Sequence, residues 1–326
     1  MKKIAGCALV GALALSLAAC GSSDGSGGDN GGGAAKKTLT IGIANYSLQA
    51  PYFIAMAKAI ETEAKTYSNV KVISTDAQGD AAKLTTNVND LLTQNVDGII
   101  ISGGPLNAAP AAMNAIEQKK VPSILVDRKF AGGQYTSWIG PNNTQIGQGD
   151  GQYIADRLKG TGTLAVITGG PADNTIGLDR TNGLLGVVKQ SPGITVVTAP
   201  DFGGWSSDGG LKVMENVLAK NKHIDAVFCE NDAMCLGAQK AIADAGRTSE
   251  MFLVAADGQK EALAAIKSGS NYAATAVNNA DTIGRAGLDR MMAVLAGAEP
   301  SKDTPLEAPL VTGDNVDRYS NPDSIF

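Results

Sequence analysis

Short apolar runs rich in β-branched residues alternate with longer amphipathic stretches along most of the chain. Residues 38–45, 70–74 and 97–102 predict strands, separated by helical patterns following Pro51, at 81–92 and at about 108–118. In the first of these helices Phe53, Ile54, Met56, Ala57 and Ile60 form the expected apolar face. The run Val121-Pro122-Ser123-Ile124-Leu125-Val126-Asp127-Arg128 predicts a buried strand ending in a charged pair. The alternation then resumes. Strands are predicted at 162–168, 194–198, 224–229, 252–256 and 272–277, with helices at 177–189, 208–218, 232–245, 260–267 and 280–295. Strands alternating with helices of about ten residues imply an α/β fold with parallel sheets covered on both faces. The repeated pattern implies two similar halves.

Polar residues fall where the predicted strands end. They are Asp76, Ser102 and Asp127 in the first half, and Glu230, Asn231, Asp232, Asp257 and Asn278 in the second. The carboxyl ends of parallel strands are where open α/β sheets bind ligands. A carboxylate beside a guanidinium, as at Asp127-Arg128, can grip adjacent hydroxyls. The same pair also suits a surface ion pair closing a strand. Two facing crevices would make one interdomain cleft, a favoured place for a small ligand.

The first residues read differently. Met1-Lys2-Lys3 is a basic start, and residues 4–17 are apolar, of signal-peptide length and short for a membrane span. Leu17-Ala18-Ala19-Cys20-Gly21 then matches the bacterial lipoprotein box. The expectation is a lipoprotein signal peptide at 1–19, with Cys20 the lipidated residue and Cys7 lost on cleavage. Residues 20–36 are Gly- and Ser-rich with no large apolar side chain, as expected of a flexible tether. Roughly 290 residues remain, enough for two domains of ordinary size.

Charge and composition narrow the chemistry. Lys and Arg number 27 against 32 Asp and Glu, for a net charge of −5, with no long basic run. That argues against a nucleic-acid partner. No Gly-Lys pair occurs, so no phosphate-binding loop is present, and Gly147-Gln148-Gly149-Asp150-Gly151 lacks dinucleotide spacing. The single histidine, His223, lies in a polar run suited to a solvated helix end. No metal motif is recognisable. Cys229 and Cys235 are either a disulfide or two small buried thiols. The chain reads as a binder and not an enzyme, with no cofactor expected.

From about Leu39 to Val316 the chain resembles the ribose-binding-protein family, type I periplasmic sugar-binding proteins of ABC importers. The carriers are Pro51-Tyr52-Phe53, Val126-Asp127-Arg128, Asn142-Asn143, Asp179-Arg180, the stretch from Val227 to Met234, Ala256-Asp257-Gly258, and Val311-Thr312-Gly313-Asp314-Asn315-Val316. The resemblance implies two similar Rossmann-like lobes joined by a three-strand hinge. One lobe would hold 38–140 and 279–307, the other 141–278 and 308–326, with crossings near 128–142, Asn278 and 307–310. It implies a ligand site of Tyr52, Phe53, Asp127, Arg128, Asn142, Arg180, Asn231, Asp257 and Asn278. Trp205, or Phe202 if the alignment runs forward from Asp201, would cover the second sugar face.

Three positions depart from the family's ribose binders: Ala50 stands for an amide, Asn278 for a longer Gln, and Tyr52 for a common Phe. A monosaccharide (pentose or hexose) or a polyol therefore remains open. The implied function is an extracytoplasmic solute-binding lipoprotein. It would bind its ligand by closure, touch the membrane only through lipid, act as a monomer, and serve an ABC permease and ATPase in trans. The alternative is a sensor of a sugar or signal molecule, feeding a chemoreceptor or kinase.

Overall fold

The computed structural model describes residues 37–171, 174–321 and 324–326. The expected signal peptide and tether, with Cys7 and Cys20, lie outside the described residues.

The first sheet is built from β1 (Leu39–Asn45), β2 (Val70–Asp76), β3 (Gly98–Ser102), β4 (Ser123–Val126), β5 (Ser137–Pro141) and β11 (Asp303–Leu306), in the order β11-β5-β4-β3-β1-β2, all parallel. The second has β6 (Thr161–Ile167), β7 (Gly193–Thr198), β8 (Ala226–Cys229), β9 (Phe252–Asp257), β10 (Tyr272–Val277) and β12 (Leu310–Thr312), in the order β12-β10-β9-β8-β6-β7. Only β12 runs antiparallel, beside β10.

Each sheet is covered on both faces. In β3, Ile99, Ile100 and Ile101 are all fully buried. Ile99 and Ile101 face α2 (Ala81–Thr93) and α3 (Pro110–Lys119), while Ile100 faces α1 (Pro51–Ala64) and α9 (Ala280–Leu295). A continuous apolar run is what a strand buried on both sides requires. Burying each such side chain contributes about 1.5–3 kcal/mol. The second sheet packs α6 (Ser207–Lys220), α7 (Asp232–Asp244) and α8 (Lys260–Lys267) on one face. On the other lie α4 (Asn143–Arg157) and α5 (Asn174–Val188).

The chain passes between the sheets three times, at 141–143, 277–280 and 306–310. These passages place the loops that follow β1, β3, β4, β6, β8, β9 and β10 around one common space.

Several expectations are corrected. Ile54 does not join the apolar face of α1; it is 42% exposed. The β4 strand stops at Val126, and Asp127 turns away with φ of 68°. The elements β5, α4, β11 and β12 were not expected. Cys229 and Cys235 are buried free thiols with no disulfide between them.

Candidate functional site

The common space is a cavity of about 450 Å3, within the range of small-ligand sites. Loops from both sheets line it, and most of the expected residues meet there: Tyr52, Phe53, Asp127, Arg128, Arg180, Trp205, Asn231, Asp257 and Asn278. Asn142 does not. It caps α4 by accepting from the Gln145 N–H at 3.1 Å and lines a separate recess of about 310 Å3. Its neighbour Asn143 is the one that reaches the site, through Arg180. Phe202 is 51% exposed and does not line the cavity, so of the two aromatic candidates the structure brings Trp205 to it.

Backbone conformation aims three of these side chains. Asp127, Trp205 and Asp257 have φ of 68°, 58° and 121°. Such angles are uncommon for residues with a Cβ, and they cluster where function requires a particular orientation.

Asp127 is held from three directions. Its Oδ1 accepts from the Tyr52 hydroxyl at 3.0 Å, its Oδ2 from Arg128 Nε at 3.0 Å, and its carbonyl from Trp138 Nε1 at 3.3 Å. Burial, then the charges of Asp127 and Asp257, push the Tyr52 pKa well up, so its hydroxyl stays a donor at neutral pH.

Arg180 is nearly inaccessible to solvent. Its Nε donates to Asn143 Oδ1 at 2.9 Å, its Nη1 to the Glu230 carbonyl at 2.5 Å, and its Nη2 pairs with Asp257 Oδ1 at 3.0 Å. Burial alone works against its charge, but Asp257, Tyr52 and Asp127 outweigh it, and the pKa is raised. Burial raises the Asp257 pKa, opposed by Arg180 and the Asn278 amide. That amide donates to Asp257 Oδ1 at 3.3 Å, leaving Asn278 Oδ1 buried with no partner at the cavity wall. A buried acceptor left open costs free energy unless a donor arrives. Asn231 spends its Oδ1 capping α7, while its Nδ2 donates to the Trp205 carbonyl at 3.4 Å.

Other polar strand ends are structural. Glu230 accepts from the Gly169 N–H and the Thr181 hydroxyl, both at 2.6 Å. Asp232 accepts from the Tyr272 hydroxyl at 2.6 Å and the Thr275 hydroxyl at 3.0 Å. Asp76 accepts from the N–H groups of Leu48 and Gln78. Ser102 is buried against Met56.

The residues missed are mostly backbone and ring. Tyr46, Ser47, Gly104, Pro105, Gly169, Gly170, Pro171 and Ile176 also line the cavity. A Cβ on Gly104, which has φ of 82°, would lie 2.1 Å from the Tyr46 ring; one on Gly169 would lie 2.2 Å from the Trp205 ring. Glycine at these points lets two aromatic rings lie close against backbone. A readable signal was available: Gly-Gly-Pro follows a strand in each half, at 103–105 and 169–171.

The lining holds two carboxylates, Asp127 and Asp257, and two guanidiniums, Arg128 and Arg180. It is therefore charge-balanced, with each carboxylate already beside a guanidinium. Such a wall can accept and donate to many hydroxyls at once while aromatic rings cover C–H faces.

Residues 41–299 match the family described as a periplasmic binding protein domain. The chain is 32% identical to the ribose import binding protein of Bacillus subtilis, over 84% of this chain and 87% of that protein. It is 30% identical to the xylitol-binding protein of Mycolicibacterium smegmatis, over 97% of this chain and 87% of that one. It is also similar to a solved ABC transporter solute-binding protein of Bacillus halodurans with bound myo-inositol. There the TM-score is 0.80 and identity 27%, covering 87% of this chain and 98% of that chain.

Proposed function

The chain belongs to the periplasmic binding protein family, and from that premise we propose that it captures a neutral monosaccharide or polyol between its two sheets and delivers it to an ABC importer. The two sheets are the cores of two lobes, and the passages at 141–143, 277–280 and 306–310 are the hinge between them. The ligand enters with the lobes apart. Contacts from both lobes then shift the population toward the closed arrangement. The lipoprotein box ending at Cys20 supports a lipid anchor that keeps the protein outside the cell membrane.

One observation carries the reading: a charge-balanced lining whose carboxylates and guanidiniums are paired within the protein, flanked by rings from both sheets. Asp127, Arg128 and Tyr52 form one polar edge; Arg180, Asp257 and Asn278 form the other. The ligand's hydroxyls donate to the carboxylates and to Asn278 Oδ1, and accept from the guanidiniums. Tyr46, Phe53 and Trp205 cover its apolar faces. Micromolar affinity corresponds to about −8 kcal/mol. A few hydrogen bonds to charged groups, at about 1.5–3 kcal/mol each, reach that after closure costs.

The test is a thermal-shift screen of the protein against ribose, xylitol, myo-inositol, other neutral sugars and several amino acids. Ligand at about 100 times Kd adds about 2.7 kcal/mol of stability. The expected result is a raised melting temperature with at least one sugar or polyol, abolished by Asp127→Ala and by Trp205→Ala. A rise with an amino acid and with no carbohydrate overturns the reading.

A further inference from the structure

Residues 316–321 and 324–326 touch both halves, behind the cavity wall at Tyr52. After β12, residues Val316–Arg318 form a short turn whose Val316 is buried in the core of the second sheet, with Tyr319 packed against the same core. Asp317 pairs with Lys267 of α8 at 2.7 Å, and Lys260 of α8 donates to the Ser324 carbonyl at 3.4 Å. Phe326 then leaves that half. It packs into the core that α1 and α9 form on the first sheet. Its ring meets Tyr52 edge to face, with centroids 5.2 Å apart and planes at 77°. Tyr52 in turn meets Phe53 at 5.4 Å and donates to Asp127.

The start of α1 has no side-chain cap: its N-cap is Ala50, and α3 and α8 likewise begin without one at Ala109 and Gln259. The first turn, with Tyr52 and Phe53, is held by N–H bonds to the Ala50 carbonyl and by packing, part of it from Phe326.

We propose that Phe326 is a positioning residue for ligand binding, acting through Tyr52. Seated on Tyr52, it holds the first turn of α1 and the Tyr52–Asp127 hydrogen bond in place. The segment thereby ties the second half, through Val316 and Lys260, to the first turn of α1. The proposal rests on the reading of the cavity as the ligand site.

Two measurements on the full chain test it. The first is hydrogen–deuterium exchange without ligand. Phe326→Ala should accelerate exchange in peptides covering residues 51–56, where the Phe53 and Ile54 N–H groups bond the Ala50 carbonyl, and leave peptides over Ala226–Cys229 unchanged. Phe326→Tyr, which keeps the ring, should exchange as wild type does. The second is affinity for whichever of ribose, xylitol or myo-inositol the wild type binds, expected to fall about fivefold in Phe326→Ala. Unchanged exchange at 51–56 overturns the proposal. So does faster exchange with unchanged affinity, and so does faster exchange throughout the chain, which is general destabilisation. If Phe326→Ala fails to fold, Phe326→Leu is measured in its place under the same criteria. If the wild type binds no sugar or polyol, the functional reading fails, and the exchange result alone decides whether Phe326 positions Tyr52.

Discussion

Asp232 shows how a residue at a strand end can look like a ligand contact and serve the scaffold instead. It is fully buried at the start of α7 and takes hydrogen bonds from Tyr272, Thr275 and the Gln259 N–H. Burial, then the charge of Asp257, pushes its pKa up to about 7, against the pull of those three donors. The unfolded value is about 3.9. Between the two values the folded state binds more protons than the unfolded state. Its contribution to stability is therefore fully present below about pH 4 and is lost as pH rises toward about 7. Burial also raises the pKa values of Asp150, Asp257 and Glu230, which act in the same direction. Asp232→Asn removes the titrating group. Urea unfolding at about pH 4.5 and about pH 7 should show the stability of wild type minus variant declining with pH. An equal difference at both would mean that Asp232 titrates the same way folded and unfolded.

At the level of elements, α4 and α5 decide where Arg180 sits. A Cβ on Gly147 would lie 1.8 Å from the Arg180 carbonyl oxygen, and one on Gly183 would lie 2.3 Å from the Thr144 carbonyl oxygen. The two helices thus touch backbone to backbone, and that contact sets the depth from which the guanidinium reaches Asn143, Asp257 and the cavity. Gly147→Ala must push the helices apart. It should cost about 1–3 kcal/mol of stability by urea unfolding and weaken ligand binding by calorimetry. Gly149→Ala is the control. Nothing lies within 4 Å of its added Cβ, and a helical Gly→Ala change should be neutral or stabilise by up to about 1 kcal/mol. Equal effects from both would remove the seam from the account. The same glycines explain why α4 was not legible. Three glycines within five residues argue against a helix by local propensity, and only the seam with α5 shows why two of them, Gly147 and Gly151, are there. The short β11 and β12 strands, four and three residues long, offer too few positions to show a period. By contrast, β3 announced itself through three consecutive isoleucines.

Across the whole molecule, the candidate site was legible at Asp127, Asn231, Asp257 and Asn278, because parallel sheets gather polar side chains at their strand ends, although Asp76, Ser102, Glu230 and Asp232 end strands without lining the cavity. It was not legible where function resides in backbone shape. The Gly-Gly-Pro turns are marked only by recurring after a strand in each half, and the Tyr46 ring resting on one of them carries no charge or period to mark it. Asn142 and Asn143 could not be told apart by type, since only the helix start makes one a cap and the other a partner of Arg180. Charge is the property that both halves share. Arg128 and Arg180 each face a carboxylate inside the cavity, and the chain as a whole carries −5. A ligand with its own charge would have to give up its hydration to groups already neutralised, in a field that disfavours anions. A neutral sugar meets neither obstacle. For whichever neutral ligand binds, calorimetry should show affinity changing less than about twofold between about 0.05 M and 0.5 M salt. The corresponding sugar acid should bind about 100-fold more weakly or not at all. Tighter binding of the acid, weakening steeply with salt, would instead mean that one of the guanidiniums leaves its carboxylate to meet the ligand, and that the pairing in this structure is what the ligand breaks.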